Sequence, residues 1–241
     1  MPAIELLLPL GAVAFYLWDS LQLLYQDELV VERDARWHVS GGSDLLLGGR
    51  RPFLPNPFLP HRLLFVIDWT RARAGDAAVR RAALGTLERT LAPVRGVVLV
   101  LAALLFLVLP PVSWFYGAGA ALLSVFAAVY LLILVGLAFV YARRAALGLA
   151  LRPLLGLALE SLACAPFALN LVRKISLMHS SQLDVDLLLA ELSEADFRRR
   201  LSSAVMQRAD GTLRLEEPDS PRRRQIEALR ARLEAPSRDA P

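Results

Sequence analysis

Three of the ionisable residues that lie within or beside apolar segments are the first candidates for chemistry. Asp19 lies in the first apolar segment, and Arg152 and Glu160 lie in an apolar stretch after residue 143. An ionisable side chain at membrane depth is rare and often marks an ion path or a binding site. Either acid is a possible partner of Arg152; alternatively, each side chain reaches water at the interface. We therefore take Asp19, Arg152 and Glu160 as candidate functional polar residues at the membrane face.

The histidines and an Asp-Val-Asp sequence are weaker candidates. A metal site or a general base requires a histidine to converge with a carboxylate, and the spacing of the histidines gives no sign of this. We keep His38 and His61 as weak candidates. Asp184 and Asp186 are two residues apart, so on a helix they point apart, and a role at a helix start is favoured. The sequence predicts no metal site.

The remaining motifs are typical of structure rather than of catalysis. Gly41-Gly42-Ser43 and Gly48-Gly49-Arg50 match neither a P-loop nor a dinucleotide fingerprint, so we interpret them as turns. The single cysteine, Cys164, forms no intrachain disulfide. We predict no cofactor and no catalytic residue, and the sequence favours a non-catalytic protein over an enzyme.

A long uncharged stretch must position these side chains. No charged residue occurs from Val97 to Tyr141, and a helix needs about 20 apolar residues to cross a bilayer, so this stretch is long enough for two passes. Polar and helix-breaking residues cluster between Pro110 and Gly119. We predict a transmembrane hairpin over residues 96–142 with its turn in that cluster.

A further transmembrane helix is predicted over residues 1–25. No Lys or Arg precedes Arg33, and bulky residues follow the apolar run, whereas a cleaved signal peptide has a basic start and a small-residue cleavage site. Residues 143–180 contain Pro153 and Pro166 and are predicted to form interfacial or re-entrant helices, with a fourth span as the alternative.

The polar parts of the chain fall into three segments. Residues 26–74 contain short β-type runs, among them ELVVE, RWHVS, DLLL, PFL and RLLFVIDW, separated by turn signals, and predict a small β module. Residues 75–95 predict an amphipathic helix that breaks at Pro93. Residues 181–241 predict a helical tail with one helix over 181–207, a turn at Asp210-Gly211, a strand in TLRLEE (residues 212–217) and a disordered C-terminus.

The distribution of cations predicts the orientation. Segment 26–95 holds 11 of the 27 Lys and Arg residues and segment 173–241 holds 13, while the N-terminal stub and the hairpin turn hold none. Positive residues favour the cytoplasmic side, so the N-terminus is expected outside, with the β module and the tail inside. Heavy use of Arg, Ala and Leu, with Lys174 the only lysine, suggests a bacterial inner-membrane protein.

The predicted fold class is an α-helical integral membrane protein with three transmembrane helices, interfacial helices and a small cytoplasmic β module between spans 1 and 2. The sequence favours a scaffold or accessory subunit that docks a protein partner. Anionic headgroups suit its positive charge, whereas nucleic acid is excluded as a partner because acids interleave the cations. One alternative is an oligomeric transport component, since the layout is similar in topology to stator-type proton-channel subunits. A second is a membrane enzyme at the inner headgroup layer.

Overall fold

The computed structural model of the chain describes residues 2–34, 36–70, 76–117, 119–191, 195–213, 216–217 and 219–234. The chain forms two compact units. The first, which we call the apolar unit, comprises Met1–Leu21, Leu54–Leu63 and Ala78–Met178. The second, the sheet unit, comprises Gln22–Phe53, Leu64–Ala77 and His179–Pro241.

The apolar unit is built from helices. They are α1 (Pro2–Ser20), α2 (Ala77–Ala103), a π-helical turn (Leu104–Val108), α3 (Leu109–Tyr116), α4 (Ala120–Ala142), α5 (Leu151–Ala163), a 3-10 turn (Ala165–Asn170) and α6 (Leu171–Met178). The buried residues of α2 recur every three or four positions and form one face: Leu84, Leu87, Leu91, Val94, Val98 and Leu101. Gly136 allows α4 to approach this helix, because a Cβ there would lie 3.4 Å from Val97.

Two of the described helical runs are long and apolar enough to cross a membrane: Ala77–Tyr116, with 40 residues, and Ala120–Ala142, with 23. In α1, the apolar part Leu7–Ser20 is shorter. The helical architecture with a small sheet module agrees with the predicted fold class. Length and composition allow two membrane-crossing helices, so the third predicted span remains a proposal.

Two predicted boundaries in this unit are wrong. The first helix ends at Ser20 rather than at residue 25. The amphipathic segment 75–95 is not a separate helix, because α2 continues through Pro93; the neighbouring helices of a bundle can compensate for the hydrogen bond that a proline removes. The hairpin turn lies within the predicted cluster, after Tyr116. Pro110 and Pro111 do not end the helix, because they fall in the first turn of α3, directly after the π-helical turn.

The sheet unit contains two small sheets. Strand β1 (Gln22–Leu24) pairs antiparallel with β4 (Arg51–Phe53), and strands β3 (Trp37–Ser40), β2 (Glu28–Arg33) and β5 (Leu63–Asp68) form a three-stranded sheet in that order. Val31 lies opposite Val39 in the antiparallel β2–β3 pair. The core of the unit consists of apolar side chains of these strands and of the following turn: Leu29, Val30, Val31, Leu64, Phe65, Ile67 and Trp69.

The tail is helical but differs from its prediction. After a 3-10 turn (Ser180–Gln182), α7 (Val185–Glu191), α8 (Ala195–Leu213) and α9 (Pro221–Glu234) follow. Separate helices therefore replace the single predicted helix over 181–207. The predicted turn at Asp210-Gly211 and the start of the predicted strand are wrong, because α8 continues to Leu213. Residues 235–241, where disorder was predicted, lie outside the described residues.

Candidate functional site

A buried arginine, Arg173 of α6, is the centre of the polar interior of the apolar unit. It is 3% exposed, and burial of a charge is costly unless hydrogen bonds replace those to water. Its Nη1 lies 3.1 Å from Tyr16 Oη and 3.1 Å from Asn170 Oδ1. Its Nη2 donates to the carbonyl oxygens of Asn56, at 2.7 Å, and Leu59, at 3.0 Å. The guanidinium therefore connects α1 and α6 with the loop that precedes β5.

Tyr16 strengthens that connection from α1. Its hydroxyl donates to the carbonyl oxygen of Pro57 at 2.8 Å and accepts from Arg173. One turn further along α1, the buried Ser20 places its Oγ 2.7 Å from the carbonyl oxygen of Tyr16 and 3.0 Å from Asn170 Oδ1. The loop 54–63 is thus held to the helices by hydrogen bonds to three of its carbonyl groups.

An ion-pair cluster adjoins this network. Lys174 Nζ lies 2.8 Å from Asp19 Oδ1 and 2.7 Å from Glu160 Oε2. Asn170 Nδ2 donates to the other oxygen of Asp19 at 2.9 Å, and the lysine also lies 5.1 Å from the centre of the Phe167 ring. Asp19 and Lys174 are mostly buried, whereas the Glu160 side chain is 54% exposed. One cation thus neutralises two carboxylates from different helices.

The structure brings together two of the three polar residues that the sequence singles out. Asp19 and Glu160 meet through Lys174. The ion pairs described for these two acids are therefore with Lys174 and not with Arg152, which is exposed on α5. The weaker candidates are separate: His38 lies on β3 opposite Glu32 in the sheet unit, and His61 lies in the loop 54–63 of the apolar unit.

Sequence reasoning missed the residues that organise the site. It treats Arg173 and Lys174 only as cations that set the orientation, and it gives Tyr16 and Asn170 no role. The available signal was the position of these two cations, which directly follow an apolar stretch of 20 residues without Lys or Arg, 153–172. Basic residues at such a place can turn inward when the neighbouring helices present acceptors.

An apolar cleft of about 600 Å³ opens in the apolar unit between α1, the loop 54–63 and the run from α2 to α3. Its walls include Val13 and Leu17 of α1, Pro57 and Phe58 of the loop, and Leu99 and Phe106 of the third side. The volume lies in the usual range of about 300–1,000 Å³ for ligand sites. Among the lining residues, Tyr16 alone carries a polar side-chain atom. Its hydroxyl donates a hydrogen bond to the carbonyl oxygen of Pro57 and accepts one from Arg173.

The π-helical turn shapes one wall of this cleft. Leu105, Phe106 and Leu107 all lie in that turn and line the cleft. The ring of Phe106 packs against the ring of Tyr16, with 5.5 Å between the centroids. Single π-helical turns insert an extra residue into a helix and often occur at functional sites. Here the turn directs consecutive apolar side chains into the cleft.

In the sheet unit, three consecutive leucines, Leu45–Leu47, form an exposed group that we call the leucine tip. Their side chains are 62%, 52% and 49% exposed. Sequence analysis predicted a strand for DLLL, but these residues form a loop, closed by a bridge between Leu47 and Arg50 across two glycines with positive φ. A run of three exposed apolar residues is unusual in a folded protein unless it contacts a partner.

Arg208 of α8 stabilises the loop that leads to the leucine tip. It is buried and donates to the carbonyl oxygen of Gly41, and its Nη2 lies 3.4 Å from that of Glu28. Burial lowers the pKa of this guanidinium to about 10, and the nearby Arg51 contributes to the change. Arg208 is therefore still charged at neutral pH and acts as a structural connection within the sheet unit.

Within the described part of the chain, no group of three or more His, Cys, Asp and Glu side chains could hold a metal ion. The chain matches no protein-family model, no curated protein and no solved structure at a significant level.

Proposed function

We propose that this protein is a non-catalytic membrane scaffold, which anchors its sheet unit at the membrane surface and docks a protein partner through the leucine tip. The membrane part of the proposal is supported by the apolar helices. In α4 the most apolar 18-residue window is only 33% buried, and exposed side chains such as Leu123, Leu131 and Leu134 surround the rest of the helix. A helix that is apolar on all sides is stable when lipid covers it.

The observation that carries the docking proposal is the leucine tip. Leu23, on strand β1 of the same unit, is also an exposed leucine, at 43%. Removing apolar surface from water contributes about 25 cal/mol per Å², so covering three leucines by a partner is favourable. Asp44 and Arg50, on either side of the tip, offer charges of both signs that can select the partner.

We further propose the orientation that the cations favour. The N-terminus lies outside, α1, α2–α3 and α4 cross the inner membrane of a bacterium, and the sheet unit and tail are cytoplasmic. Helices α5 and α6 then lie at the inner headgroup layer, since α5 has 13 residues and spans about 20 Å, less than the ~30 Å hydrocarbon core.

A transport component is the second candidate, and one observation favours it. The cluster of Asp19, Lys174 and Glu160 lies at the end of α1, where an ion entering the membrane region would meet it. Such a role requires several copies of the chain around a common path. A monomeric chain after purification, together with unchanged ion transport by the Lys174→Met variant, would contradict this role.

Site-specific photocrosslinking tests the docking proposal. A photoreactive amino acid at Leu46 of the full chain, expressed in bacterial cells, should give one discrete protein adduct on irradiation. Gln225, exposed on α9 of the same unit, is the control position and should not give this adduct. Lipid adducts alone at Leu46, or the same adduct from both positions, would contradict the proposal.

Cysteine labelling tests the topology. On a Cys164→Ser background, Ala3→Cys and Ala235→Cys should react with an impermeant maleimide from opposite sides of the membrane. Labelling of both from one side would refute three crossings with the proposed orientation. Extraction of membranes at alkaline pH is the companion test, and the chain should stay in the pellet.

A further inference from the structure

We propose that the apolar cleft binds one acyl chain of an anionic phospholipid whose phosphate contacts Arg95. This inference rests on the proposed insertion of α2 into a bilayer. It assigns a ligand to the cleft and a headgroup contact to an arginine that the scaffold proposal does not use.

The position of Arg95 on α2 places it in line with the cleft. Leu99 and Ala102, which line the cleft, follow Arg95 at the spacings i+4 and i+7. Residues at these spacings share one face of a helix. Because each residue adds about 1.5 Å along the axis, Leu99 begins about 6 Å beyond Arg95. Arg95 therefore lies on the same face of α2 as these two lining residues, at the end nearest the predicted headgroup layer.

The hydrogen bonding of Arg95 is incomplete. Its Nε and Nη2 are buried and have no hydrogen-bond acceptor in the structure as described. Glu88 Oε1 lies 3.9 Å from Nη2, which is too far for a hydrogen bond. The side chain as a whole keeps 18% of its surface exposed, so rotation of its terminal torsions can bring the buried donors to an anion. A phosphate can supply two acceptor oxygens to the planar fork of an arginine after rotation of its terminal torsions.

The depth of the cleft matches one leaflet. From Leu99 to Pro110 the lining residues cover 11 steps of α-type rise, about 16 Å. Half of the ~30 Å hydrocarbon core is about 15 Å. Arg95 directly precedes the uncharged residues 96–142 and so lies at the edge of the core. A lipid with its phosphate at Arg95 would extend its chain along the whole cleft.

The lining of the cleft favours an acyl chain. The walls of this space of about 600 Å³ are apolar apart from the hydroxyl of Tyr16, so a hydrocarbon chain loses no hydrogen bond when it enters. Charge then selects the headgroup, because a choline group brings a cation close to Arg95 and a glycerol headgroup does not.

Native mass spectrometry of the full chain in detergent tests the site, with phosphatidylglycerol, phosphatidylcholine and inorganic phosphate as separate probes. The wild-type chain should retain one phosphatidylglycerol and bind phosphatidylcholine more weakly. Arg95→Gln should weaken phosphatidylglycerol binding about tenfold, the effect of losing one charge-assisted contact. Arg89→Gln, the same change at an exposed position of α2, should leave binding unchanged.

A second pair of variants tests the cleft itself, and it keeps the test valid if Arg95→Gln fails to fold. Ala102→Phe places a ring in the cleft and should abolish retention of the lipid. Ala127→Phe makes the same change on the exposed surface of α4 and should have no effect. Three results would overturn the inference. Phosphatidylcholine could bind as tightly as phosphatidylglycerol, inorganic phosphate could displace phosphatidylglycerol as well as free phosphatidylglycerol does, or Ala102→Phe could bind phosphatidylglycerol as the wild-type chain does.

Membrane extraction separates this failure from failure of the proposed function. If the wild-type chain leaves the membrane pellet at alkaline pH, the membrane scaffold itself is refuted. If the chain stays in the pellet but lipid binding ignores Arg95 and Ala102, only the lipid site is refuted.

Discussion

Replacement of Arg173 by leucine should detach the loop 54–63 from the helices of the apolar unit. The substitution removes the donors to the carbonyl oxygens of Asn56 and Leu59, at 2.7 and 3.0 Å, and the contact with Tyr16. It also removes a buried charge. The net change in stability therefore depends on whether water or other donors replace the lost hydrogen bonds to these carbonyl oxygens.

The expected magnitude follows from those acceptors. A buried acceptor that loses its donor costs about 1–3 kcal/mol. The two carbonyl groups lie in a partly buried loop, where water reaches part of the backbone. We therefore expect the lower part of the range for each, about 2–3 kcal/mol in total. That is a large fraction of the roughly 5–15 kcal/mol that stabilises an ordinary domain.

Hydrogen exchange of the full chain in lipid nanodiscs measures this effect locally. Peptides covering residues 54–63 should exchange about 30- to 150-fold faster in Arg173→Leu, if exchange follows local opening. Arg152→Leu is the matched control, since Arg152 is exposed on α5 and surface changes usually stay within about 0.5 kcal/mol. Equal exchange of this loop in the two variants would refute the structural role of Arg173.

Three further predictions concern single side chains. Asp184→Ala should destabilise the tail by about 1 kcal/mol in chemical unfolding, because Asp184 Oδ1 accepts a hydrogen bond from Leu187 N at 2.7 Å and caps α7. Asp186→Ala, at an exposed position of α7, should have a smaller effect. Equal effects of the two variants would contradict the capping role of Asp184. At pH 8, Cys164 of the folded chain should react with a maleimide more slowly than Cys164 of the unfolded chain, because burial raises the pKa of the thiol and the thiolate is the nucleophile. The two rates should approach each other as the pH rises. Faster reaction in the folded chain would contradict this prediction. Lys174→Met should lower the thermal unfolding temperature more than Lys174→Arg, since two carboxylates lose their cation, and identical shifts would show that the charge has no role.

The uncharged stretch after Val97 was readable from the sequence because a helix apolar on all sides needs no information about its neighbours. The hairpin turn was readable to within the cluster Pro110–Gly119, but the continuation of the helix through Pro110 was not. Pro110 and Pro111 normally end a helix, yet here a π-helical turn precedes them and both fall in the first turn of α3.

Long-range pairing explains the other errors. Strand β1 follows α1 after a single residue, Leu21, and its partner β4 lies about 28 residues later. The leucine tip has the composition of a strand but lies in a loop. Arg173 was missed because its acceptors are carbonyl oxygens more than 110 residues away in sequence, and any residue type can present a carbonyl. Asp19 and Glu160 were identifiable because an acid beside an apolar segment requires a partner, although the sequence alone did not indicate that the partner is Lys174.

Accessibility of a spin label on α4 tests the central claim, that apolar helices of this chain lie in lipid. A nitroxide at Leu131, which is 62% exposed near the middle of α4, is compared with one at Gln225 on α9, both on a Cys164→Ser background in liposomes. If α4 lies in lipid, the label at Leu131 is relaxed by oxygen and protected from a water-soluble nickel complex, with the reverse at Gln225. Equal access of the nickel complex to both positions would show that α4 does not lie in lipid.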